Sequence, residues 1–347
     1  MTTFLFPSVD LESGLRSHLE GVSEVAPQDV APRVAAAVRA GLSSRPKRLP
    51  PWLFYDSAGS RLFDEITGRP EYYLTRTERA ILETHAETMI ARAAGGAPLR
   101  VTELGAGSAD KTRLLLKAVT ACQQSVVYEP VDVSASALCA AKQRIEQEIG
   151  RAIVKPRVMD YTQGNGHGLD LEPCAPKQRR LVLYIGSSIG NFEPQEARRL
   201  LRRVRLGLRP GDSLLLGVDL IKDEATLLAA YDDVAGVTAD FNLNLLARLN
   251  RELDADFYLE SFEHRAVWNR VESRIEMHLE SRVQQTVRLA ALDLEVDFGL
   301  GETIHTENSY KYAPGQPESM LVEAGFAAAG SWTDERGWFS VCLGRAR

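Results

Sequence analysis

The stretch "LRVTELGAGSADKT", residues 99–112, runs from an apolar segment through two closely spaced glycines into a polar, helix-forming segment. Strand, glycine turn and helix in that order open a βαβ unit, and such units build parallel sheets. Glycines at 105 and 107 permit a tight turn and close approach of a ligand to the backbone. The third glycine of a G-x-G-x-x-G fingerprint is absent, because that position is Asp110. Its absence weakens a dinucleotide site and leaves a plain glycine turn in an α/β sheet as the competing reading.

The chain on either side carries the same alternation. Strand-like runs recur at "SVVYEPVDVS" (125–134), "RAIVKPRVMDYT" (151–162), "RRLVLYIGSSIGNF" (179–192) and "GDSLLLGVDLI" (211–221). Helical segments separate them, among them "ASALCAAKQRIEQEI" and the amphipathic "EPQEARRLLRRVRLGL". Buried strands alternating with helices predict a doubly wound, Rossmann-like α/β sheet. Upstream, residues 28–43 read as a helix, and 45–78 as an ordered segment dense in Pro, Gly and aromatics. Thr75 and Glu78 have capping-box spacing and predict a helix start, running to about residue 94. Beyond Asp223 the alternation stops. Residues 224–253 read as helical, 263–289 and 292–312 as antiparallel strands, and 327–346 as a hairpin turning at Glu335–Gly337. The expected layout is a smaller α+β domain of residues 1–78 plus 222–309, and a main sheet domain of 79–221 plus 310–347.

Composition narrows the function. Of 347 residues 41 are basic and 47 acidic, a net charge of −6, which argues against neutralising nucleic-acid phosphates. Four cysteines without a CxxC spacing fit reduced thiols in a cytoplasmic protein. The N-terminus lacks the charged and apolar regions of a signal peptide, and no run approaches the ~18 apolar residues that span a bilayer. The six histidines (18, 85, 167, 264, 278 and 305) form no HxxxH-like pattern, so no metal site is expected. With Glu103 beside the glycine turn and no phosphate-binding lysine motif, the loop suits a cationic ligand without phosphates, such as S-adenosylmethionine (SAM). Asp132, 27 residues past Gly105, ends the second strand where ribose hydroxyls would lie. Asp160 ends the third, where an adenine amino group would lie. Ligands of open α/β sheets bind beyond the carboxyl ends of the strands. Taken singly, each aspartate is as readily a helix cap or turn residue.

Longer blocks carry a resemblance. "LPPWLFYDSAGSRLFDEIT", "PEYYLTRTE", "ELGAGSADKTR", "GSSIGN", "RPGDSLLLGVDLIKD", "AAYDDVAGVTADFNLNLL", "LNRELDADF", "RIEMHL" and "ALDLEVDF" resemble the histidine-specific, SAM-dependent Nα-methyltransferases that form hercynine in ergothioneine biosynthesis. They span about residues 45–300. The resemblance implies a two-domain class I methyltransferase, a monomer, acting on free L-histidine with SAM, leaving S-adenosylhomocysteine and using no metal. By position it implies cofactor contacts at Gly105, Lys111, Asp132, Asp160 and Tyr161. It implies substrate-carboxylate ligands at Asn191 and Tyr231, and Tyr55 and Tyr72 beside the amino group. Met277 would line the pocket, and Glu307 and Ser309 would read the imidazole. The run Thr306–Lys311 departs from the family's Thr-Glu-Val-Ser-Cys-Lys pattern at Asn308 and Tyr310.

The residues admit other readings. Tyr72–Tyr73 also fits a core aromatic pair, Asn191 a helix cap, and Tyr231 a packed helix end. In an extended chain Glu307, Ser309 and Lys311 share one face, with Asn308, Tyr310 and Tyr312 on the other. A carboxylate and a hydroxyl on one face match the two nitrogens of an imidazole. The competing functions are methylation of another amino acid or amine such as tryptophan, an NAD-dependent oxidoreductase, and a SAM-binding regulator without turnover.

Overall fold

The computed structural model describes residues 27–107, 109–162 and 167–347, with side chains from residue 32. The signal-peptide reading and His18 therefore lie outside the described residues. The main sheet has eight strands: β2 (Leu99–Leu104), β3 (Val126–Asp132), β4 (Ala152–Val154), β5 (Arg157–Val158), β6 (Arg179–Tyr184), β7 (Ser213–Asp219), β13 (Phe326–Thr333) and β14 (Phe339–Ala346). Their order is β13-β14-β7-β6-β2-β3-β4, with β5 also on β3. The strands from β4 to β7 are parallel, whereas β14 runs antiparallel to β7 and β13 antiparallel to β14. The sheet is thus an α/β sheet closed at one edge by an antiparallel hairpin.

Apolar runs explain this sheet. All residues of β2 and β7 are buried, as strands covered by helices on both faces require. One face packs under α3 (Tyr73–Ala94) and α4 (Thr112–Cys122), through Leu82, Met89, Leu115 and Val119. The other packs under α6 (Pro194–Leu206) and α9 (Gln316–Glu323), through Leu200, Leu201, Val204 and Leu321. The helix α5 (Ala135–Glu148) is capped by Ser134, whose Oγ accepts from Ala137 N. The capping-box expectation at Thr75 and Glu78 is corrected. The helix begins at Tyr73, and Glu78 is fully buried inside it, bonded to Lys111 and to Gly186 N.

A second core forms from two separated parts of the chain. Helices α1 (Pro27–Leu42), α2 (Ser57–Thr67), α7 (Glu224–Ala229) and α8 (Val237–Leu253) pack with a four-stranded sheet of order β1-β12-β9-β8. Those strands are β1 (Lys47–Arg48), β8 (Phe262–Asn269), β9 (Arg274–Ser281) and β12 (Thr303–Tyr310). A small β10–β11 ribbon (Gln285–Leu289, Leu294–Phe298) adds Val287, Leu289 and Phe298. Among the described residues no helix is long and apolar enough to cross a membrane.

The main sheet also holds a buried polar knot. Arg100 and Arg180, on neighbouring strands, both bond the carboxylate of Glu129, which is 1% exposed. Burial alone would raise the Glu129 pKa, but the two arginines hold it below the usual carboxylate value. Its stabilising contribution is present above the unfolded carboxylate pKa and is lost as pH falls through the depressed folded value. Removing one partner strands the remaining charges. Glu129→Ala is therefore expected to cost about 3–5 kcal/mol in urea unfolding at pH 7, and a loss within 0.5 kcal/mol, roughly that of an ordinary surface substitution, would contradict this.

Candidate active site

The loop after β2 supplies one side of the site. Gly105 has φ +70°, and a Cβ there would stand 2.9 Å from the Tyr161 hydroxyl, so the turn needs glycine. Asp132, at the end of β3, accepts from Gly107 N (3.1 Å) and Ser134 N (2.9 Å), which fixes its carboxylate beside the turn. Burial raises its pKa even so. The turn, Asp132 and the Tyr161 ring thus lie together beyond the carboxyl ends of β2 and β3.

Three other acidic or basic residues of this region are engaged elsewhere. Glu103 accepts from Thr112 Oγ1 (2.6 Å) and Tyr128, and burial still pushes its pKa to about 7. It serves the fold, so Asp132 is the carboxylate beside the turn. Lys111 gives its ammonium to Glu78. Asp160 pairs with Arg33 of α1 (2.5 Å) and accepts from Thr162 N (2.9 Å). Of the expected cofactor contacts the structure gathers Gly105, Asp132 and Tyr161, and ties Lys111 and Asp160 to protein partners.

A pocket opens between the two cores. It is lined by Tyr55, Tyr72, Asn191, Tyr231, Met277, Glu307 and Ser309, which are all the expected substrate and catalytic residues. Phe63 and Phe241, which sequence reading passed over, complete an aromatic wall with Tyr55 and Tyr72. The tyrosine pair divides. Tyr73 is core, donating to Asp219 Oδ2 (2.6 Å) and packed on Trp338, whereas Tyr72 stands before the helix facing Tyr231 edge-on. Burial, with lesser help from nearby acids, raises the pKa of Tyr55, Tyr72 and Tyr231 well above the ordinary value. At Tyr55 burial dominates that rise, with smaller contributions from Glu307 and Asp132.

Asn191 is not a helix cap. Glu193 and Glu196 form the capping box of α6 instead, leaving Asn191 on the pocket wall, where it acts to lower the pKa of Glu307. The short turn Ser188–Asn191 lies so close to β12 that a Cβ on Gly190 would be 2.9 Å from Tyr310 O.

The face presented by β12 depends on one extra residue. His305 pairs with His278, and Glu307 with Met277, so Thr306 has no partner across the ladder. Adjacent β9 residues point to opposite faces, and the bulge therefore exchanges the parity of β12. Ile304 is buried before it; Glu307 and Ser309 turn to the pocket after it. Thr306 Oγ1 sits within reach of Asn242 Oδ1 (2.9 Å) and Met277 O (3.0 Å). Asn242 in turn donates to His264 Nδ1 (2.8 Å) and His278 O (3.0 Å). A buried side-chain network on α8 thus clamps the bulge.

Burial pushes the Glu307 pKa to about 7, against the pull of Lys311 and Asn191. Ser309 Oγ lies 2.7 Å from Tyr231 Oη, and Lys311, past the end of β12, donates to both at 2.9 Å. Lys311 also pairs with Asp219 at 2.8 Å, with both side chains fully buried. Its position two residues beyond Ser309 was visible in the sequence; its role was not. On the outer face His305 stacks on His278 and accompanies Glu276, with ligand atoms within 4.8 Å of one another. That grouping comes from strand pairing, which linear spacing does not show. Its carboxylate is already bonded to Asn269 (2.9 Å), Arg274 (2.8 Å) and His278 (3.2 Å). His305 faces away from the pocket, with Nε2 at Glu307 O (3.0 Å).

Comparison with known proteins adds the following. The family described as histidine-specific, SAM-dependent methyltransferases matches residues 34–346. The histidine N-alpha-methyltransferase of Mycolicibacterium smegmatis is 48% identical over 306 residues, covering 88% of this chain and 92% of that protein. The protein of the same name from Mycobacterium tuberculosis is 43% identical over the same shares. The L-tryptophan methyltransferase of Psilocybe serbica is 29% identical, over 91% of this chain and 93% of its own length.

Gly190→Ala is expected to destabilise the chain by about 1–3 kcal/mol through overpacking. Pushing the turn off β12 would also move Asn191. Amino-acid affinity in isothermal titration should fall more than SAM affinity, and equal retention of both would contradict the placement.

Proposed function

We propose a function from the premise that this chain belongs to the histidine-specific, SAM-dependent methyltransferase family. It transfers methyl groups from SAM to the α-amino nitrogen of L-histidine, three in succession, giving the trimethyl betaine hercynine, the first step toward ergothioneine. Each transfer forms one N–C bond, breaks one C–S bond, and releases S-adenosylhomocysteine and a proton. SAM supplies the methyl on a sulfonium. The chain's task is to align the amine and exclude water.

The observation that carries this reading is the chemistry of one pocket wall: Glu307 and the Ser309 hydroxyl lie together on it. A neutral imidazole offers one N–H and one bare nitrogen, which suits a carboxylate acceptor beside a hydroxyl donor. Asn191 and Tyr231 would take the substrate carboxylate. Tyr55 and Tyr72, kept as phenols by burial, would orient the amine and its departing proton without acting as strong bases. Aromatic faces there also favour the cationic product. Asp132, the Gly105 turn and Tyr161 would hold the nucleoside of SAM.

The two cores support a division into a substrate lobe (1–78 plus 222–309) and a SAM lobe (79–221 plus 310–347). The reading includes a monomer, and a reducing, cytoplasmic setting that four free cysteines support. A second reading, the same chemistry on tryptophan, draws on the relative from Psilocybe serbica. An indole has one donor and no acceptor, so it leaves the hydroxyl donor of this pocket unpaired.

Incubation with SAM and L-histidine should give mono-, di- and trimethylated products by mass spectrometry. Methylation of another amino acid with none of histidine would overturn the specificity. Glu307→Ala is expected to weaken histidine by about 1.5–3 kcal/mol, roughly 10- to 150-fold, with SAM affinity unchanged by calorimetry. Asp132→Ala should reverse that order. Equal losses for both ligands in either variant would refute the assignment.

A further inference from the structure

We propose that Glu193 is a positioning residue: gripped by Asn308, Tyr310 and Arg274 of the smaller sheet, it holds Asn191 at the substrate carboxylate. The proposal rests on the reading that Asn191 takes that carboxylate. It goes beyond that reading by assigning the placement of Asn191 to residues outside the pocket.

The chain passes over β12 between Asn191 and Glu193. Asn191 lines the pocket, on the side of Glu307 and Ser309. The turn carrying it lies against the Tyr310 backbone, where a Cβ on Gly190 would stand 2.9 Å from Tyr310 O and 3.2 Å from Tyr310 N. Glu193, two residues on, meets the side chains on the opposite face of β12. Its Oε1 accepts from Asn308 Nδ2 (3.1 Å) and from the Arg274 guanidinium (2.9 Å), and its Oε2 from the Tyr310 hydroxyl (2.6 Å). Arg274 stands opposite Tyr310 across the ladder, donates to its hydroxyl (2.5 Å) and pairs with Glu276 (2.7 Å), so the grip is itself braced. On its other side Glu193 opens α6 through the capping box with Glu196. One carboxylate thus ties the start of a main-sheet helix to two strands of the smaller sheet, two residues from Asn191.

Sequence and energetics both set this grip apart from ordinary packing. Asn308 and Tyr310 are the two places where the run Thr306–Lys311 departs from the family's pattern, and valine and cysteine there carry neither the amide nor the phenol. Among the described residues Asn308 Oδ1 is buried with no hydrogen-bond partner, a cost that an apolar residue would avoid. Asparagine is accounted for by its amide hydrogens, the half of the group that can meet a carboxylate. Glu193 itself is half-exposed, and exposed ion pairs add little to stability. What the three donors supply is direction: they reach one carboxylate from two strands and fix where the chain leaves the pocket.

The test compares L-histidine with histamine, which lacks only the carboxylate, by isothermal titration calorimetry in the presence of S-adenosylhomocysteine. The wild-type protein is expected to bind L-histidine the more tightly. In Glu193→Ala that preference should fall about fivefold or more, the worth of roughly one hydrogen bond, through weaker L-histidine more than weaker histamine, with S-adenosylhomocysteine affinity kept. Loss of the helix cap alone would weaken both amines alike. Asn308→Val combined with Tyr310→Phe keeps Glu193 and its cap, and should lower the same preference. If Glu193→Ala does not fold, as loss of S-adenosylhomocysteine binding would show, the double variant decides alone. An unchanged preference in the folded variants overturns the proposal while leaving histidine as substrate. Equal wild-type affinity for the two amines would show that no carboxylate is read, and overturns it as well. Failure of the wild-type protein to methylate histidine is a different result and defeats the proposed function, on which this proposal rests.

Discussion

The buried ion pair between Asp219 and Lys311 is the constraint on which the site depends. Asp219 ends a strand of the main sheet, and Lys311 follows the last strand of the smaller one. Two charges with no exposure persist only when their hydrogen-bonding capacity is met, because desolvation costs several kcal/mol per ion. Here the partners come from every side: Tyr73 from the start of α3, Lys222 from the exit of β7, and Tyr231 and Ser309 from the pocket. Satisfying this one pair sets the small sheet against the large one and fixes two hydroxyls at the substrate wall.

The bulge at Thr306 converts that docking into a site. A regular strand carrying Ile304 inward would turn Thr306 and Asn308 inward as well, and leave Glu307 outside. One extra residue, held by Asn242, brings a carboxylate into the pocket at the cost of a gap in the ladder. The close approach of Gly190 to Tyr310 then brings Asn191 to that carboxylate. Burial raises the pKa of Glu307 toward neutrality, and Lys311 and Asn191 oppose the rise. The same low-dielectric setting keeps Tyr55, Tyr72 and Tyr231 protonated, which suits orientation rather than base catalysis.

Much of this was legible in the sequence because it follows from local rules. The run from Leu99 to Thr112 showed the strand, the glycine turn and the helix, since apolar continuity and glycine act over a few residues. The pairing of Glu307 with Ser309 was legible because strand parity holds between residues two apart. Failures occurred where tertiary partners decide. Glu78 had the spacing of a helix cap, but its carboxylate is buried against Lys111 and Gly186. Glu103 looked available to a ligand, yet Thr112 and Tyr128 use its oxygens. The Lys311 contacts join residues from three distant segments, and no local pattern encodes them.

The central claim is that this pocket holds histidine with a neutral ring, one nitrogen protonated toward Glu307 and the other accepting from the Ser309 hydroxyl. Nitrogen NMR of ring-¹⁵N-labelled L-histidine bound to the protein with S-adenosylhomocysteine tests it directly. The account predicts two distinct ring nitrogens, one with a bonded hydrogen and one without, fixed in a single tautomer. Two protonated nitrogens, or one averaged signal of a ring exchanging between tautomers, would contradict it.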